Sequence, residues 1–170
     1  MTVKTILTEP NKILRKVSLP VEKVGKEEQH LMNDMLETMY DAKGIGLAAI
    51  QIGIPKRIIV MDLSKEGEKK EPRYFVNPII KNKNSNLSKY LEGCLSVPDQ
   101  FAEVNRPSNC EVEYLDYHGN KKILKADGLL ATCIQHEMDH LEGILFIDYL
   151  SKLKKSMIIK KLSKQKSKED

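Results

Sequence analysis

The sequence lacks an apolar run long enough to cross a membrane. Its longest apolar runs, such as residues 58–61, fall far short of the roughly 20 residues that a spanning helix needs. The first 16 residues also lack the apolar stretch of a secretory signal, and no internal repeat or low-complexity linker follows. With 170 residues, of which 31% are charged, the chain is typical of one soluble globular domain, and we expect no membrane partner.

Cysteine is scarce, with only Cys94, Cys110 and Cys133 present. An odd number without regular spacing argues against a secreted, disulfide-linked protein. We therefore expect a cytoplasmic protein in a reducing compartment, where a cysteine can be a metal ligand or a small core residue. We interpret Cys110 and Cys133 as core residues.

The body of the chain has no excess of basic charge. Residues 151–170 hold eight lysines, Glu169 and Asp170, a net charge of +6, so the rest carries −2 of the total of +4. A basic tail of this kind indicates docking on an anionic surface. The alternative is a solvated, lysine-rich helix end.

Apolar periodicity predicts helices and strands in the first 126 residues. The first helix is expected in KEEQHLMNDMLETMYDAKG, with a left-handed C-cap at Gly44 and an apolar face formed by Leu31, Met35, Leu36 and Met39. Two strands are expected in KRIIVMDL and in RYFVNPII, the second ending at Pro78. A loop is expected in KNKNSNLSKY, and a hairpin from Cys110 to Ala126.

Two further helices are expected near the C-terminus. One runs from Asp127 to Gly143, and its first half is apolar on every side, which predicts burial. The other starts after Ser151, with an apolar stripe of Leu153, Met157, Ile158 and Leu162. Strands followed by a central and a terminal helix predict an α+β domain.

The buried helix carries the pattern His-Glu-x-x-His at His136, Glu137 and His140. Side chains four apart lie on one helical face, so both imidazoles can reach one metal ion while Glu137 lies beside it. Two neutral nitrogens can hold a Lewis-acidic cation, and the glutamate can move protons to and from water. The alternative is an ordinary polar patch.

Cys94, in the segment EGCLS, is the candidate third ligand. It follows a glycine in a strand-edge or loop segment, where a thiolate could point towards a cation. Three protein ligands leave one position open, which is the arrangement of catalytic sites. The alternative is a small buried hydrophobic residue.

The segment GIGLAAIQIG, residues 44–53, is rich in glycine but does not match a phosphate-binding loop, because it follows a helix and lacks the third glycine. We interpret it as extended backbone that passes close to a ligand. Gln51 could then donate its amide N–H to an oxygen that gains charge; the alternative is a glutamine that only packs a loop.

Taken together, residues 44–51, 92–96 and 136–140 resemble the three motifs of the peptide deformylase family, in the bacterial form with a C-terminal helix. The resemblance runs almost end to end. It implies an α+β fold, with small mixed or antiparallel sheets packed around the central helix that bears the two histidines. Residues 1–150 would form one catalytic domain, and residues 151–170 a basic amphipathic helix of the same domain.

The resemblance also implies a reaction. The enzyme would remove the formyl group from the N-terminal formyl-methionine of new polypeptides and release formate, with water on the metal attacking the formyl carbonyl. One Fe(II) per chain would be held by Cys94, His136 and His140, with zinc, nickel or cobalt able to substitute. Glu137 would act as general base and then acid, and Gln51 with the Leu95 N–H would form the oxyanion hole.

Further roles follow from the same resemblance. The residues expected to bind substrate are Gly44, Ile45, Gly46, Tyr90, Glu92, Gly93, Leu129, Thr132 and Cys133. Apart from the resemblance, we expect Arg106 to pair with Asp139, and Glu92 to orient His136 or a water; the alternative for both is a plain structural ion pair. The basic tail would dock on the anionic ribosome, and we expect a monomer.

Two other functions remain open from the residues alone. A zinc metallopeptidase also uses His-Glu-x-x-His, but it usually takes its third ligand downstream, where this chain has neither histidine nor cysteine. A non-catalytic, zinc-stabilised module that binds the ribosome is the other. It would not need Glu137.

Overall fold

The computed structural model describes residues 2–169, and the side chains up to residue 165. The helices among them are α1 (Lys26–Asp41), α2 (Gly128–Leu141) and α3 (Lys152–Glu169). The strands are β1 (Gly46–Ala48), β2 (Ile58–Met61), β3 (Arg73–Lys83), β4 (Leu87–Cys94), β5 (Val97–Pro107), β6 (Asn109–Leu115) and β7 (Lys121–Asp127). Short 3₁₀ helices cover Lys12–Arg15, Ala49–Ile52 and Phe146–Tyr149.

The strands form two antiparallel sheets. One has five strands in the order β1-β2-β3-β6-β7, and the other is the β4-β5 hairpin. Helix α2 packs against strands of both sheets, and its Ala131, Ile134 and Leu141 belong to a buried cluster with Phe75 and Val112. Burial of this apolar face fixes α2 between the sheets, and the predicted α+β class is confirmed.

The predicted hairpin and the predicted central helix are both present. Cys110 pairs with Ala126 in the β6-β7 register, as expected. Helix α2 follows Asp127 as its N-cap, and the chain turns at Gly143, whose φ is +74°. A Cβ at Gly143 would also collide with the backbone of Arg15, so this turn requires glycine.

Helix α1 differs from its prediction in two ways. Its fully buried apolar residues are Met32, Met35 and Met39, whereas Leu31 and Leu36 are only partly buried. The left-handed residue after the helix is Lys43, with φ +58°, and not Gly44. Gly44 instead lies against Leu95, whose Cδ1 would be 2.6 Å from a Cβ at this position, so a larger residue there would require the Leu95 side chain to move.

The prediction was wrong at Pro78 and in the loop after it. Strand β3 continues past Pro78 to Lys83, with a register shift between Val76 and Ile79 that accommodates the proline. The expected loop KNKNSNLSKY contains the start of β4 at Leu87. The β4-β5 hairpin was missed because its exposed positions, including Leu91 and Phe101, obscure a hydrophobic alternation.

Helix α3 is capped by Ser151, whose Oγ accepts a hydrogen bond from Lys154 N at 3.2 Å. Only half of the predicted stripe is buried: Ile158 and Leu162 pack on Phe146, but Leu153 and Met157 are 72% and 50% exposed. The helix therefore touches the body along one narrow face. None of the described helices is long and apolar enough to span a membrane.

Candidate metal centre

Helix α2 and the end of β4 bring together three potential metal ligands. His136 and His140 lie on one face of α2, with ring centroids 5.1 Å apart. Cys94 is the last residue of β4, at a register irregularity before the turn into β5, and its Sγ lies 3.3 Å from His140 Nε2. One ligand atom from each residue falls within 4.8 Å of the others.

This arrangement fits a single ion. A tetrahedral ion with bonds of about 2.0–2.3 Å separates its ligand atoms by about 3.3–3.8 Å, close to the Sγ–Nε2 distance. A thiolate with two imidazoles suits zinc, iron, cobalt or nickel rather than magnesium or calcium, which prefer oxygen. The three residues thus form a set that leaves a coordination position open.

His136 is held in place from behind. Its Nδ1 lies 2.9 Å from Glu92 Oε1, so the ring directs Nε2 towards Cys94 and His140. Arg106 in turn binds Glu92 with two nitrogens, at 2.7 and 3.0 Å. A carboxylate behind a ligating histidine fixes the tautomer and orientation of the ring.

The same arginine connects this support to the rest of α2. Arg106 Nη1 lies 2.8 Å from Asp139 Oδ2, the contact expected from the sequence. Tyr149 donates its hydroxyl to that oxygen at 2.7 Å and lies below the Arg106 guanidinium, 4.9 Å from ring centroid to Cζ. No sequence pattern predicts this role for Tyr149, because the residue belongs to a 3₁₀ helix outside the three motifs.

Glu137 lies beside the three candidate ligands without joining them. Its Oε1 is 4.0 Å from His140 Nε2 and has no hydrogen-bond partner among the described residues. Burial raises the pKa of Glu137 to about 7, and a cation next to it would lower that pKa. Its carboxyl group is therefore placed to exchange protons near neutral pH.

Gly46 makes room for that carboxylate. A Cβ on Gly46 would collide with Glu137 Oε2 and lie 3.0 Å from its Cδ. The glycine-rich segment therefore passes close to a catalytic candidate of the protein itself. The sequence predicted close passage of this backbone, but with a ligand as the neighbour.

Gln51 is oriented by two neighbours. Its Oε1 accepts from Ala48 N at 2.9 Å, and its Nε2 donates to Ser96 Oγ at 3.0 Å. The same nitrogen lies 3.6 Å from Cys94 Sγ, so the amide faces the ligand cluster. Ser96, fully buried, was not identified from the sequence and secures this orientation.

A cleft of ≈ 600 Å³ opens onto His136 and Glu137. Four of the predicted substrate-binding residues line it, namely Gly44, Ile45, Gly46 and Gly93, and so does the predicted oxyanion residue Leu95. Leu91, Pro98, Asp99 and Phe101 also line it but were missed, since they belong to the unrecognised hairpin.

The other predicted substrate residues lie outside this lining. Glu92 is 5% exposed and engaged with His136 and Arg106, so its position supports a ligand rather than a substrate. Tyr90 of β4 approaches the first turn of α2, its hydroxyl lying 3.8 Å from where a Cβ of Gly128 would be. On α2, Leu129 is 46% exposed, whereas Thr132 and Cys133 are buried.

The remaining cysteines differ from Cys94. Burial raises the pKa of Cys133 to about 12, and it raises the pKa of Cys110 as well. Both are thiols at neutral pH, unable to act as thiolates. Only Cys94 of the three lies within reach of the histidines.

The site has three potential ligands, an open coordination position and a buried carboxylate at its side. On an α+β scaffold, these features define the class of the protein as a metal-dependent hydrolase.

Comparison with known proteins identifies the family. The sequence model of the polypeptide deformylase family matches residues 3–156 of this chain. A peptide deformylase of Pelagibacter ubique is 79% identical over 167 residues, covering 98% of this chain and 97% of that protein. One of Rhizobium meliloti is 55% identical, covering 96% and 94%. The crystal structure of peptide deformylase from Ehrlichia chaffeensis has a TM-score of 0.95 at 43% identity, covering 99% of each chain. The chain belongs to the polypeptide deformylase family, and the predicted resemblance is confirmed.

Proposed function

We propose that the protein removes the formyl group from the N-terminal formyl-methionine of nascent polypeptides, with the reaction centred on Cys94, His136 and His140. The juxtaposition of these three residues, with ligand atoms within 4.8 Å of one another, carries the proposal. We further propose Fe(II) as the cellular ion, one per chain, with zinc, nickel or cobalt able to replace it. When bound, the ion polarises the formyl oxygen and lowers the pKa of bound water.

Glu137 moves the protons of the reaction. Its carboxylate takes a proton from the attacking water and delivers it to the nitrogen that leaves as the amine. Burial between α2 and β1 raises the pKa of Glu137 to about 7. No hydrogen bond from the described residues competes for its Oε1. General acid–base catalysis of this kind typically contributes about 10²–10⁴-fold in rate.

Gln51 and the backbone N–H of Leu95 donate to the formyl oxygen as negative charge develops on it. Ser96 and Ala48 hold the Gln51 amide towards the cluster, so little reorganisation is needed during the reaction. Loss of one such donor typically costs about 10²–10³-fold in kcat.

The substrate occupies the cleft beside Ile45 and Gly93, with its methionine near the first turn of α2. The side-chain pocket in this proposal is formed by Tyr90 of β4 and by Leu129, Thr132 and Cys133 of α2. The formyl carbon bears only hydrogen, so a narrow approach between Gly46 and Cys94 admits formyl and excludes acetyl.

The reaction is tested by purifying the protein without oxygen, measuring its metal content and following formate release from formyl-Met-Ala-Ser. We expect about one metal ion per chain and release of formate. Exposure to air should inactivate an iron form through oxidation of Cys94, while zinc or nickel should protect it. Cleavage inside longer unformylated peptides, without formate, would instead identify a metallopeptidase.

We propose that α3 docks the enzyme on the ribosome in the cytoplasm, where it acts as a monomer. Lys160 and Lys164 are exposed and suit an RNA surface. Deleting residues 151–170 should weaken ribosome association, yet it would also uncover Phe146, which Ile158 and Leu162 cover. The double variant Lys160→Glu/Lys164→Glu tests docking without that damage. Unchanged ribosome binding at low salt would reject the proposal.

A further inference from the structure

The active-site cleft and a second groove adjoin at one residue, Phe101. Phe101 lines both: on one side its ring lies against Gly93, where an added Cβ would be 2.5 Å from Cε1, and on the other it borders α3. This β5–α3 groove has a volume of ≈ 560 Å³ and is lined by Phe101, Ala102, Leu150, Lys154, Met157 and Lys161, among others. The groove is therefore next to the cleft, with Phe101 between them.

The groove combines an apolar floor with a positive rim. Ile158 belongs to the buried cluster beneath it, and the partly buried Ala102 and Leu150 pack against that cluster. Phe101 and Met157 remain 65% and 50% exposed. Exposed apolar side chains next to a substrate cleft mark a binding surface rather than scattered surface residues.

The rim has unbalanced positive charge. Lys89 lies 3.8 Å from Glu103, which leaves little net charge on that side. Lys154 and Lys161 form no ion pair with any described side chain. An occupant with carboxylates would therefore be favoured, and the apolar floor suits side chains better than a nucleic-acid backbone.

We propose that the β5–α3 groove binds the downstream part of the same polypeptide substrate, in extended form, and favours acidic side chains there. The inference rests on the proposed function, because the formylated end must lie at the metal centre. The rest of the substrate then has to leave through the open end of the cleft. An extended chain advances about 3.3–3.6 Å per residue, so a few residues beyond the cleft suffice to reach α3.

Steady-state kcat/KM for three formylated peptides, without ribosomes and at low salt, tests this. One is formyl-Met-Ala-Ser, and two are octapeptides with the same first three residues followed by five residues rich in Asp or in Lys. We expect the acidic octapeptide to exceed the basic one by about three- to tenfold, since exposed charges contribute modestly. The difference should shrink as salt is added.

Two charge-matched variants locate the effect. Lys154→Glu/Lys161→Glu should abolish or invert the preference for the acidic octapeptide, because both lysines line the groove. Lys121→Glu/Lys122→Glu makes the same charge change at exposed positions of β7 outside the groove and should retain the wild-type ratio.

The outcomes separate the two proposals. Equal kcat/KM for the acidic and basic octapeptides with the wild type would overturn the proposal that the groove binds the substrate. Equal effects of the two variants would overturn it as well. The proposal would also be overturned if an added RNA oligonucleotide abolished the preference for the acidic octapeptide and this effect required Lys154 and Lys161. RNA would then be the occupant of the groove. Failure to release formate from the tripeptide would overturn the proposed function instead.

Discussion

Helices α2 and α3 follow each other along the chain but meet the rest of the protein in opposite ways. Nine of the 14 residues of α2 are buried, including His136, Glu137 and His140. In α3, which has 18 residues, the buried side chains among those described are Ile158 and Leu162. Helix α2 is buried over most of its surface, whereas α3 contacts the body along one narrow face.

The difference indicates where precision is needed. A metal centre requires atoms placed within fractions of an ångström, and the close packing around the buried residues of α2 provides that precision. A docking helix needs exposed charge, and its side chains do not have to be held in one precise position. Changes around α2 should therefore abolish the chemistry, whereas changes in α3 should alter stability or partner choice.

The largest effect is expected for Cys94→Ala. With only two protein ligands left, the ion should be lost and deformylation should fall to background, which metal analysis and formate release would measure together. Cys110→Ala removes a buried thiol far from the histidines and should keep both. Full metal content in Cys94→Ala would show that another residue completes the site.

Gly46→Ala should reduce kcat strongly while leaving the metal bound. Its Cβ would collide with the Glu137 carboxylate and displace it, and a displacement near 1 Å can cost about 10²-fold. Gly25→Ala is the matched control, because its Cβ would meet Glu28 Oε1 at 3.4 Å without strain in φ. Equal rates in the two variants would mean that Glu137 tolerates repositioning.

Arg106→Gln should weaken metal binding about 10–100-fold, as expected when support behind a ligating histidine is lost. Glu92 and Asp139 would remain without the cation that pairs both. Breaking such a buried pair typically costs about 3–5 kcal/mol, so the free energy of unfolding should fall too. Chelator competition measures the affinity, and Lys81→Gln, which breaks an exposed pair with Glu113, serves as the control.

The smallest effect is expected for a change at Asp148, which pairs with Lys155 of α3 and with Arg15. Burial raises the pKa of Asp148, but hydrogen bonds from Arg15 and Lys155 outweigh it, so the net pKa is lowered. This contribution to stability is present above about pH 4, the usual carboxyl pKa, and is lost as pH falls through the lower folded value.

Asp148→Asn should therefore lower the thermal midpoint at pH 7 and make little difference at pH 2. Exposed Glu66→Gln provides the comparison for loss of a carboxylate outside such a network. A larger loss for Asp148→Asn at acid pH than at neutral pH would contradict the assignment.

The contrast between the helices also explains what could be predicted from the sequence. The ends of α2 and the β6-β7 hairpin follow from local periodicity, and the shared face of His136 and His140 follows from their spacing on a helix. The full set with Cys94 follows from the family resemblance. These features depend on residues close in the chain or on a recognisable spacing, so they are visible before folding.

What could not be predicted depends on tertiary neighbours. Tyr149 and Ser96 act through Asp139 and Gln51, partners that only the fold brings to them. The exposure of Leu153 and Met157 depends on how little of the body α3 covers. The exposed apolar residues of β4 and β5 hid the hairpin that forms one wall of the cleft.

The most direct test is the metal content and formate release of Glu137→Gln, measured on one preparation. Glutamine keeps the size of the side chain in its buried site but cannot accept the proton. We expect metal content equal to that of the wild type and a rate lower by at least about 10²–10⁴-fold. Formate release at the wild-type rate would contradict the assignment of Glu137 as the group that moves the proton.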